Sequence, residues 1–271
     1  MSTGCWVNGE PREDIPAGDR GLHYGDGVFE TLAVLDGRVR LLEHHLDRLA
    51  EGCSRLGFVA PDLDLLRDEL RAAAHGQARA VLKLLVTRGT GGRGYRPPVG
   101  TGATRILLRR PWTERPQAWW QEGVRVRVCT TRLGRNPRLA GLKHLNRLEQ
   151  VLARAEWDEE AQEGLMQDEG GFVIEGTMSN VFLVHEDGRV LTPRLDRCGV
   201  AGVMRRHLLE KAERAGLTVS VAELPLTDFA SAREIFLCNS LIGVWPVARL
   251  SERLYPAGRV TRRFQQWSAE T

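Results

Sequence analysis

The sequence predicts a two-domain α/β protein, with a smaller N-terminal α+β domain and a larger C-terminal domain of mixed β-sheet with helices. Three observations lead to this prediction. Helical and strand-like segments are interspersed along the chain. A proline- and tryptophan-rich stretch, RRPWTERPQAWWQEG, interrupts them near the middle. The length of 271 residues suffices for two domains. We therefore predict an N-terminal domain at 1–112, a linker at 113–122 and a C-terminal domain at 123–271.

The N-terminal half begins with a predicted β-hairpin. Residues 28–35 are strand-like, Asp36-Gly37 is a strong two-residue turn signal, and residues 38–42 return as the partner strand. Apolar residues then repeat at helical spacing up to Gly57, which is expected to end that helix. The other elements predicted in this half are a helix at 62–75 and strands at 81–87 and 105–108.

The C-terminal half is predicted to contain more strands than helices. Asn146 and Glu149 have the spacing of a capping box, which predicts the start of a helix that carries Leu148, Val151 and Leu152. A second helix is expected over 202–216, after a turn bracketed by glycines. The predicted strands are 124–130, 172–174, 181–184, 190–191, 217–221 and 235–238.

Composition narrows the class of protein. Lys+Arg number 38 and Asp+Glu 35, so the net charge of +3 does not by itself call for nucleic acid. An arginine-rich binder of phosphate or nucleic acid is the alternative from another class, but no basic run supports it. Five scattered cysteines without a CxxC pair, no metal-binding histidine spacing, and no signal peptide or long apolar run predict a cytoplasmic protein without a metal or membrane partner.

Lys143 is the most informative single residue. Only three of the 38 basic residues are lysines, and this one precedes a predicted helix with no carboxylate nearby until Glu149. A partly desolvated lysine amine is a nucleophile that can bind the aldehyde of pyridoxal phosphate. A solvated lysine in a loop is the alternative.

A lysine that binds pyridoxal phosphate needs a carboxylate at the ring nitrogen and donors for the phosphate. Glu175 suits the first role because it follows the apolar run FVI and begins EGTMSN, where small hydroxyl residues surround it. A solvent-exposed glutamate at a strand end is the alternative. The candidate phosphate ligands are the Val203 and Met204 amides at a helix start, the Asn239 and Ser240 side chains after a strand, and the Arg48 guanidinium.

The segment RGTGGRGY satisfies the GxGxxG pattern and follows a predicted strand. Arg96, Pro97 and Pro98 come directly after it, so it cannot open the helix that a dinucleotide site requires. We expect instead a loop at the rim of a site, where Arg93 can bind a carboxylate with its guanidinium. A surface loop without function is the alternative.

These segments resemble one known family, the fold-type IV pyridoxal phosphate enzymes, which include branched-chain and D-amino acid aminotransferases and aminodeoxychorismate lyase. The resemblance runs through DRGLHYGDGVFETL, HLDRL, KHLNRLEQ, EGTMSNVF, GVMR and CNSLIGVWPV. It implies that Lys143 holds the cofactor, that Glu175 meets the ring nitrogen, and that the phosphate ligands are the ones given above. It also implies that Phe29 lines the substrate side and that the protein is a homodimer.

Two segments, RGTGGRGY and LGRNPRLAGLKHLNRLEQ, resemble the lyase more than the aminotransferases. The resemblance then implies elimination of pyruvate from 4-amino-4-deoxychorismate, giving 4-aminobenzoate for folate synthesis. That substrate is a dicarboxylate, and Arg93 and Arg135 lie in these two segments. Their place in these segments makes them the candidates for its carboxylates. The chain departs from the family at Ala33, because many relatives carry an arginine in the corresponding stretch after the FET motif. An aminotransferase reaction is the alternative, since the same lysine and cofactor serve both.

Overall fold

The computed structural model describes residues 4–98, 100, 102–158 and 160–270, and it divides into two compact units. The first contains the described residues up to Thr113 together with Leu142–Asn146. The second contains Glu114–Gly141 and the described residues from Arg147 onward. No sequence signal predicts that Leu142–Asn146 belongs with the first unit. The linker at 113–122 stays a prediction.

The first unit is a six-stranded antiparallel sheet in the order β2-β1-β6-β5-β3-β4, covered by two helices. Leu46 and Leu49 of α2 and Leu66 and Leu70 of α3 are buried in its core. The elements are β1 Gly4–Val7, β2 Glu10–Pro11, α1 Arg20–Tyr24, β3 Gly27–Leu35, β4 Arg38–Val39, α2 Leu42–Leu56, α3 Leu63–Ala74, β5 Arg79–Thr87 and β6 Thr104–Pro111.

The turns and helix ends of this unit follow from short-range sequence signals. Asp36 and Gly37 both have positive φ, at 48° and 73°, as a tight hairpin turn requires. Gly57 ends α2 in the left-handed conformation, and the Asp62 side chain caps α3 by accepting from the amides of Asp64 and Leu65. The returning strand is shorter than predicted, because Leu42 already belongs to α2.

The second unit contains a ten-stranded mixed sheet in the order β12-β11-β10-β14-β15-β7-β8-β9-β13, with β16 paired to β15. Its elements are α4 Ala118–Gln121, β7 Val124–Leu133, α5 Leu148–Arg154, β8 Glu163–Asp168, β9 Phe172–Gly176, β10 Asn180–Val184, β11 Val190–Pro193, α6 Val203–Arg214, β12 Val219–Ala222, β13 Leu224–Pro225, α7 Leu226–Ser231, β14 Glu234–Asn239, β15 Gly243–Leu250, β16 Arg253–Leu254 and α8 Arg259–Ala269. No helix in the described ranges is long and apolar enough to cross a membrane.

The predicted capping box before α5 is wrong. The helix begins at Leu148 after Arg147, without a side-chain cap. The Asn146 side chain donates instead to the Gly25 carbonyl oxygen at 3.1 Å, and a Glu149 carboxylate oxygen accepts from the Gly134 amide at 2.8 Å. Both polar side chains serve contacts distant in sequence, which the spacing cannot reveal.

Candidate active site

Lys143 is fixed through its backbone to the start of β3. The Phe29 amide donates to the Lys143 carbonyl oxygen at 2.9 Å, and the Leu145 amide donates to the Gly27 carbonyl oxygen at 3.0 Å. A Cβ at Gly27 would lie 2.9 Å from the Leu145 side chain and 2.5 Å from the Val86 carbonyl oxygen. Glycine at this position is therefore what allows the Lys143 segment to lie against the strand.

The Lys143 side chain is half-buried and its Nζ lies 4.4 Å from the centroid of the Phe29 ring. Phe29, predicted to line the substrate side, is thus the aromatic neighbour of the predicted cofactor lysine. The Nζ of Lys83, on β5, lies 5.2 Å from the same centroid, and sequence reasoning assigned it no role. Lys211, the third lysine, pairs with Glu270 at 2.7 Å.

Arg48 belongs to a buried charge cluster with Glu30 and His45. Its Nε donates to Glu30 Oε1 at 2.8 Å and its Nη2 contacts Oε2, while His45 Nδ1 lies 2.6 Å from Oε2. Burial raises the pKa of Glu30, but the charges of Arg48 and His45 more than offset this and lower it to about 2. Glu30 therefore fixes the guanidinium of the predicted phosphate ligand.

The pKa of His45 lies below its ordinary value. Burial lowers its pKa more than the Glu30 carboxylate raises it, and the charges of Arg48 and Lys143 lower it further. The influence of Lys143 shows that its amine is close enough to act electrostatically on the cluster. Among the described residues, His45 Nε2 is a buried ring nitrogen without a hydrogen-bond partner.

Glu175 lies at the end of β9, and the structure buries it rather than leaving it in solvent. Its Oε2 accepts from the Val200 amide at 2.8 Å. The residues beside Val200 are both bonded to Gly141: the Gly141 amide donates to the Gly199 carbonyl oxygen at 2.8 Å, and the Ala201 amide donates to the Gly141 carbonyl oxygen at 3.0 Å.

Gly141 is two residues before Lys143 in the chain and has a φ of 82°, in the left-handed region that favours glycine. Its backbone partners flank the residue that binds the Glu175 carboxylate. Within the second unit, Gly141 is thus linked by backbone hydrogen bonds to the turn that binds the Glu175 carboxylate. Sequence reasoning placed these residues in one site from their types alone and did not predict this link.

The start of α6 has the features of a phosphate-binding helix terminus. Gly202 precedes Val203 and Met204 and provides no side-chain cap for their amides. A Cβ at Gly202 would lie 1.9 Å from Asn180 Oδ1, so only glycine fits there without rearrangement. The Asn180 side chain donates to the Val200 carbonyl oxygen at 2.9 Å, which joins the helix start to the Glu175 side of the same unit.

Asn239 is the last residue of β14, one residue further into the strand than predicted, and Ser240 follows it. The Asn239 side chain is engaged in the local turn: its Oδ1 accepts from the Leu241 and Ile242 amides at 2.9 Å each, and its Nδ2 donates to the Met178 carbonyl oxygen at 3.0 Å. One of its two amide hydrogens is therefore already committed within the protein.

The two predicted carboxylate-binding arginines have different surroundings. Arg93 is exposed in a loop that does not continue into a helix, as its prolines predict. Arg20 Nη1 and Nη2 hold this loop by donating to the carbonyl oxygens of Gly94 and Tyr95, at 3.1 and 3.2 Å. Arg135 instead forms an ion pair with the buried Asp168, at 2.8 Å.

Comparison with known proteins identifies the family. Residues 27–250 match the aminotransferase class IV family. The chain belongs to this family. It is 41% identical over 265 residues to an aminodeoxychorismate lyase from Vibrio harveyi, covering 96% of this chain and 97% of the relative.

Solved structures agree with this assignment. The crystal structure of 4-amino-4-deoxychorismate lyase from Pseudomonas aeruginosa matches with a TM-score of 0.92 and 51% identity, covering 97% of both chains. Branched-chain amino acid aminotransferase from Escherichia coli matches with a TM-score of 0.85 and 26% identity, covering 98% of this chain and 93% of the other. The predicted fold class, fold-type IV, is thereby confirmed.

Enzymes of this family use pyridoxal phosphate, and the side chains described above fit that cofactor. They include a half-buried lysine amine, a buried carboxylate and an arginine oriented by Glu30. The Gly202 helix start offers backbone amides and excludes any larger residue. These groups correspond in kind to the aldehyde, the ring nitrogen and the phosphate of the cofactor.

Proposed function

We propose that this chain is a 4-amino-4-deoxychorismate lyase that uses pyridoxal phosphate. The observation that carries the proposal is the 41% and 51% identity to two lyases over nearly the whole chain, against 26% to the aminotransferase. The products are pyruvate and 4-aminobenzoate, a precursor in folate synthesis. The burial of the Glu175 carboxylate and its hydrogen bond from the Val200 amide support the assignment of that carboxylate to the cofactor.

Lys143 is the proposed base. When bound, pyridoxal phosphate supplies an electron sink for the amine-bearing carbon of the substrate. The neutral Lys143 amine removes the proton from that carbon, and the adjacent C–O bond breaks so that the enolpyruvyl group leaves. The ring becomes aromatic, and the released enol takes up a proton to become pyruvate. The negative charge of the Glu175 carboxylate stabilises the proton on the ring nitrogen of the cofactor.

The phosphate is assigned to the start of α6 and to Arg48. The amides of Val203 and Met204 supply donors at the positive end of a helix. Arg48 supplies charge, and its ion pair with Glu30 supports a fixed orientation. Asn239 and Ser240 complete the assignment, with part of the Asn239 side chain used to hold the turn.

The substrate carboxylates are assigned first to Arg93. Its planar guanidinium suits a carboxylate, and the Arg20 contacts to Gly94 and Tyr95 limit the freedom of the loop that carries it. For the second carboxylate, Arg135 would have to share its charge with Asp168. Lys83 is an additional candidate because its amine lies beside the Phe29 ring that Lys143 also contacts.

The decisive experiment is incubation of the holoenzyme with 4-amino-4-deoxychorismate. We expect pyruvate and 4-aminobenzoate in equal amounts. A parallel reaction contains 2-oxoglutarate with D-alanine or a branched-chain amino acid. Transfer of the amino group in that reaction, with no pyruvate from aminodeoxychorismate, would assign the protein to the aminotransferases of its family.

The proposed assembly is a homodimer, and the proposed location is the cytoplasm. Leu148, Val151 and Leu152 on one side of α5 are 76, 60 and 61% exposed, an apolar stripe that a second copy of the chain would cover. The five cysteines carry free thiols, as expected in a reducing compartment. Sedimentation analysis of the wild type and of Val151→Glu tests the dimer; a wild-type monomer would contradict it.

A further inference from the structure

We propose that Glu163 is a positioning residue for the cofactor site: its buried carboxylate holds segment 177–179, and through it both Glu175 and Asn239. The inference rests on the proposed assignment of those two residues to the cofactor. Sequence reasoning gave Glu163 no role, and it takes no part in the chemistry proposed above.

The contacts of Glu163 are concentrated on a single short segment. Its Oε1 accepts from the Thr177 amide at 3.0 Å and from the Thr177 hydroxyl, and its Oε2 accepts from the Ser179 hydroxyl at 2.8 Å and the Met178 amide at 3.2 Å. The Gly164 amide also donates to Oε1, at 2.9 Å. Glu163 is 1% exposed, so five donors surround a carboxylate that is almost fully removed from solvent.

The held segment joins the two predicted cofactor residues. It begins two residues after Glu175, and the Gly176 amide donates to the Ser179 carbonyl oxygen at 2.6 Å, which closes a tight turn. The Met178 carbonyl oxygen accepts from Asn239 Nδ2 at 3.0 Å. A shift of this segment would therefore move the end of β9 and the turn after β14 together.

A carboxylate is required here because all five groups that hydrogen-bond to Glu163, as given above, act as donors. Replacement by glutamine would turn one acceptor into an N–H₂ group facing these donors. The carboxylate is closely packed against the turn, since a Cβ at Gly176 would lie 2.9 Å from the Glu163 carboxyl carbon.

The chain provides a matched control in Glu234. This glutamate is also buried and accepts from the Thr261 amide at 2.8 Å, the Thr261 hydroxyl at 2.7 Å and the Val260 amide at 3.3 Å. It stabilises the start of α8 and lies five residues before Asn239, about 17 Å along the extended strand β14. Glu234→Gln thus removes a similar carboxylate without touching segment 177–179.

The test measures the dissociation constant of pyridoxal phosphate and the melting temperature for Glu163→Gln, Glu234→Gln and Thr177→Val. We expect Glu163→Gln to weaken cofactor binding about tenfold to a hundredfold, as loss of charge-assisted hydrogen bonds would. Thr177→Val, which removes one donor, should weaken it about threefold to tenfold. Glu234→Gln should lower the melting temperature similarly and leave cofactor affinity within about twofold of the wild type.

Asn239→Ala serves as the positive control, because the proposed function assigns Asn239 to the cofactor. Weaker cofactor binding in Asn239→Ala, with wild-type affinity in both Glu163→Gln and Thr177→Val, would overturn the inference. So would equal loss of affinity in Glu163→Gln and Glu234→Gln. Should Glu163→Gln fail to fold, Thr177→Val decides alone. Failure of the lyase proposal would appear separately, as absent pyruvate from a wild-type protein that binds the cofactor.

Discussion

The two units contribute different kinds of chemistry. The first provides charged side chains: the amines of Lys143 and Lys83 beside Phe29, and the Arg48 guanidinium held by Glu30. The second provides mainly backbone donors: the Val200 amide, which binds the Glu175 carboxylate, and the amides at the start of α6. A reactive amine must change partners during turnover, whereas a phosphate and a ring nitrogen need partners that stay in place.

The difference also appears in how each unit stabilises a buried glutamate. Glu30 is compensated by opposite charges on Arg48 and His45, so its ionisation is strongly favoured. Glu163 is compensated mostly by neutral amides and hydroxyls. Substitutions in the first unit should therefore change charge and pH behaviour, and those in the second should change geometry and cofactor affinity.

The largest effect is expected for Lys143→Ala. Turnover should be lost, since one amine both holds the cofactor and moves the proton, and arginine should not restore it because a guanidinium stays protonated. The measurement is 4-aminobenzoate formation together with the absorbance of the bound cofactor. Lys83→Ala is the matched control beside the same ring and should keep the cofactor spectrum.

Glu175→Gln should retain the cofactor and lose about 10² to 10³ in kcat, the effect of removing one electrostatic stabiliser. The backbone bond to Val200 can still form through the amide oxygen of glutamine, so the local fold should survive. Steady-state kinetics and a melting curve test this. A variant with wild-type kcat would show that another residue meets the ring nitrogen.

Arg93→Ala should lower kcat/KM about tenfold to a hundredfold, the effect of one lost charge-assisted contact to a substrate carboxylate. The cofactor spectrum should not change. Arg135→Ala is the comparison: Asp168 is 2% exposed and would lose its ion pair, so stability should fall as well. Unchanged kcat/KM in Arg93→Ala would remove that arginine from the substrate site.

Glu30→Gln should have the smallest effect on turnover and a clear effect on stability. The pKa of Glu30 lies at about 2 in the folded chain against an ordinary 4.5, so its ionisation stabilises the fold above about pH 4.5. That stabilisation is lost as the pH falls towards 2. The melting temperatures of wild type and variant should therefore differ most above pH 4.5 and converge below it. The largely exposed Glu43, as Glu43→Gln, is the control and should show little difference at any pH.

Sequence reasoning works best where the signal is local. The Asp36-Gly37 turn and the end of α2 at Gly57 depend on neighbouring residues, and both are confirmed. The capping box at Asn146 and Glu149 is wrong because both side chains bind residues far away in the chain. Two polar residues at the right spacing do not reveal such competing partners.

The candidate site shows the same division. Lys143 and Glu175 were found by residue type and motif, and their surroundings are consistent with the predicted roles. The sequence alone could not reveal Glu30 as the charge partner of Arg48, nor the contacts of Lys83 and Glu163. Each of these contacts depends on pairing between strands and loops that are distant in sequence. The tryptophans illustrate the point: Trp119 and Trp120, in the segment predicted as a linker, pack on Trp245 of β15 within the second unit.

The most direct test of the central claim is borohydride treatment of the wild-type holoenzyme followed by peptide mass spectrometry. Borohydride fixes the cofactor to the lysine that holds it, and the chain offers only three lysines. We expect the mass of the reduced cofactor on the peptide that contains Lys143, with Lys83 and Lys211 unmodified. The cofactor on Lys83 instead would contradict the assignment of the reactive amine, although Lys83 lies beside the same phenylalanine ring.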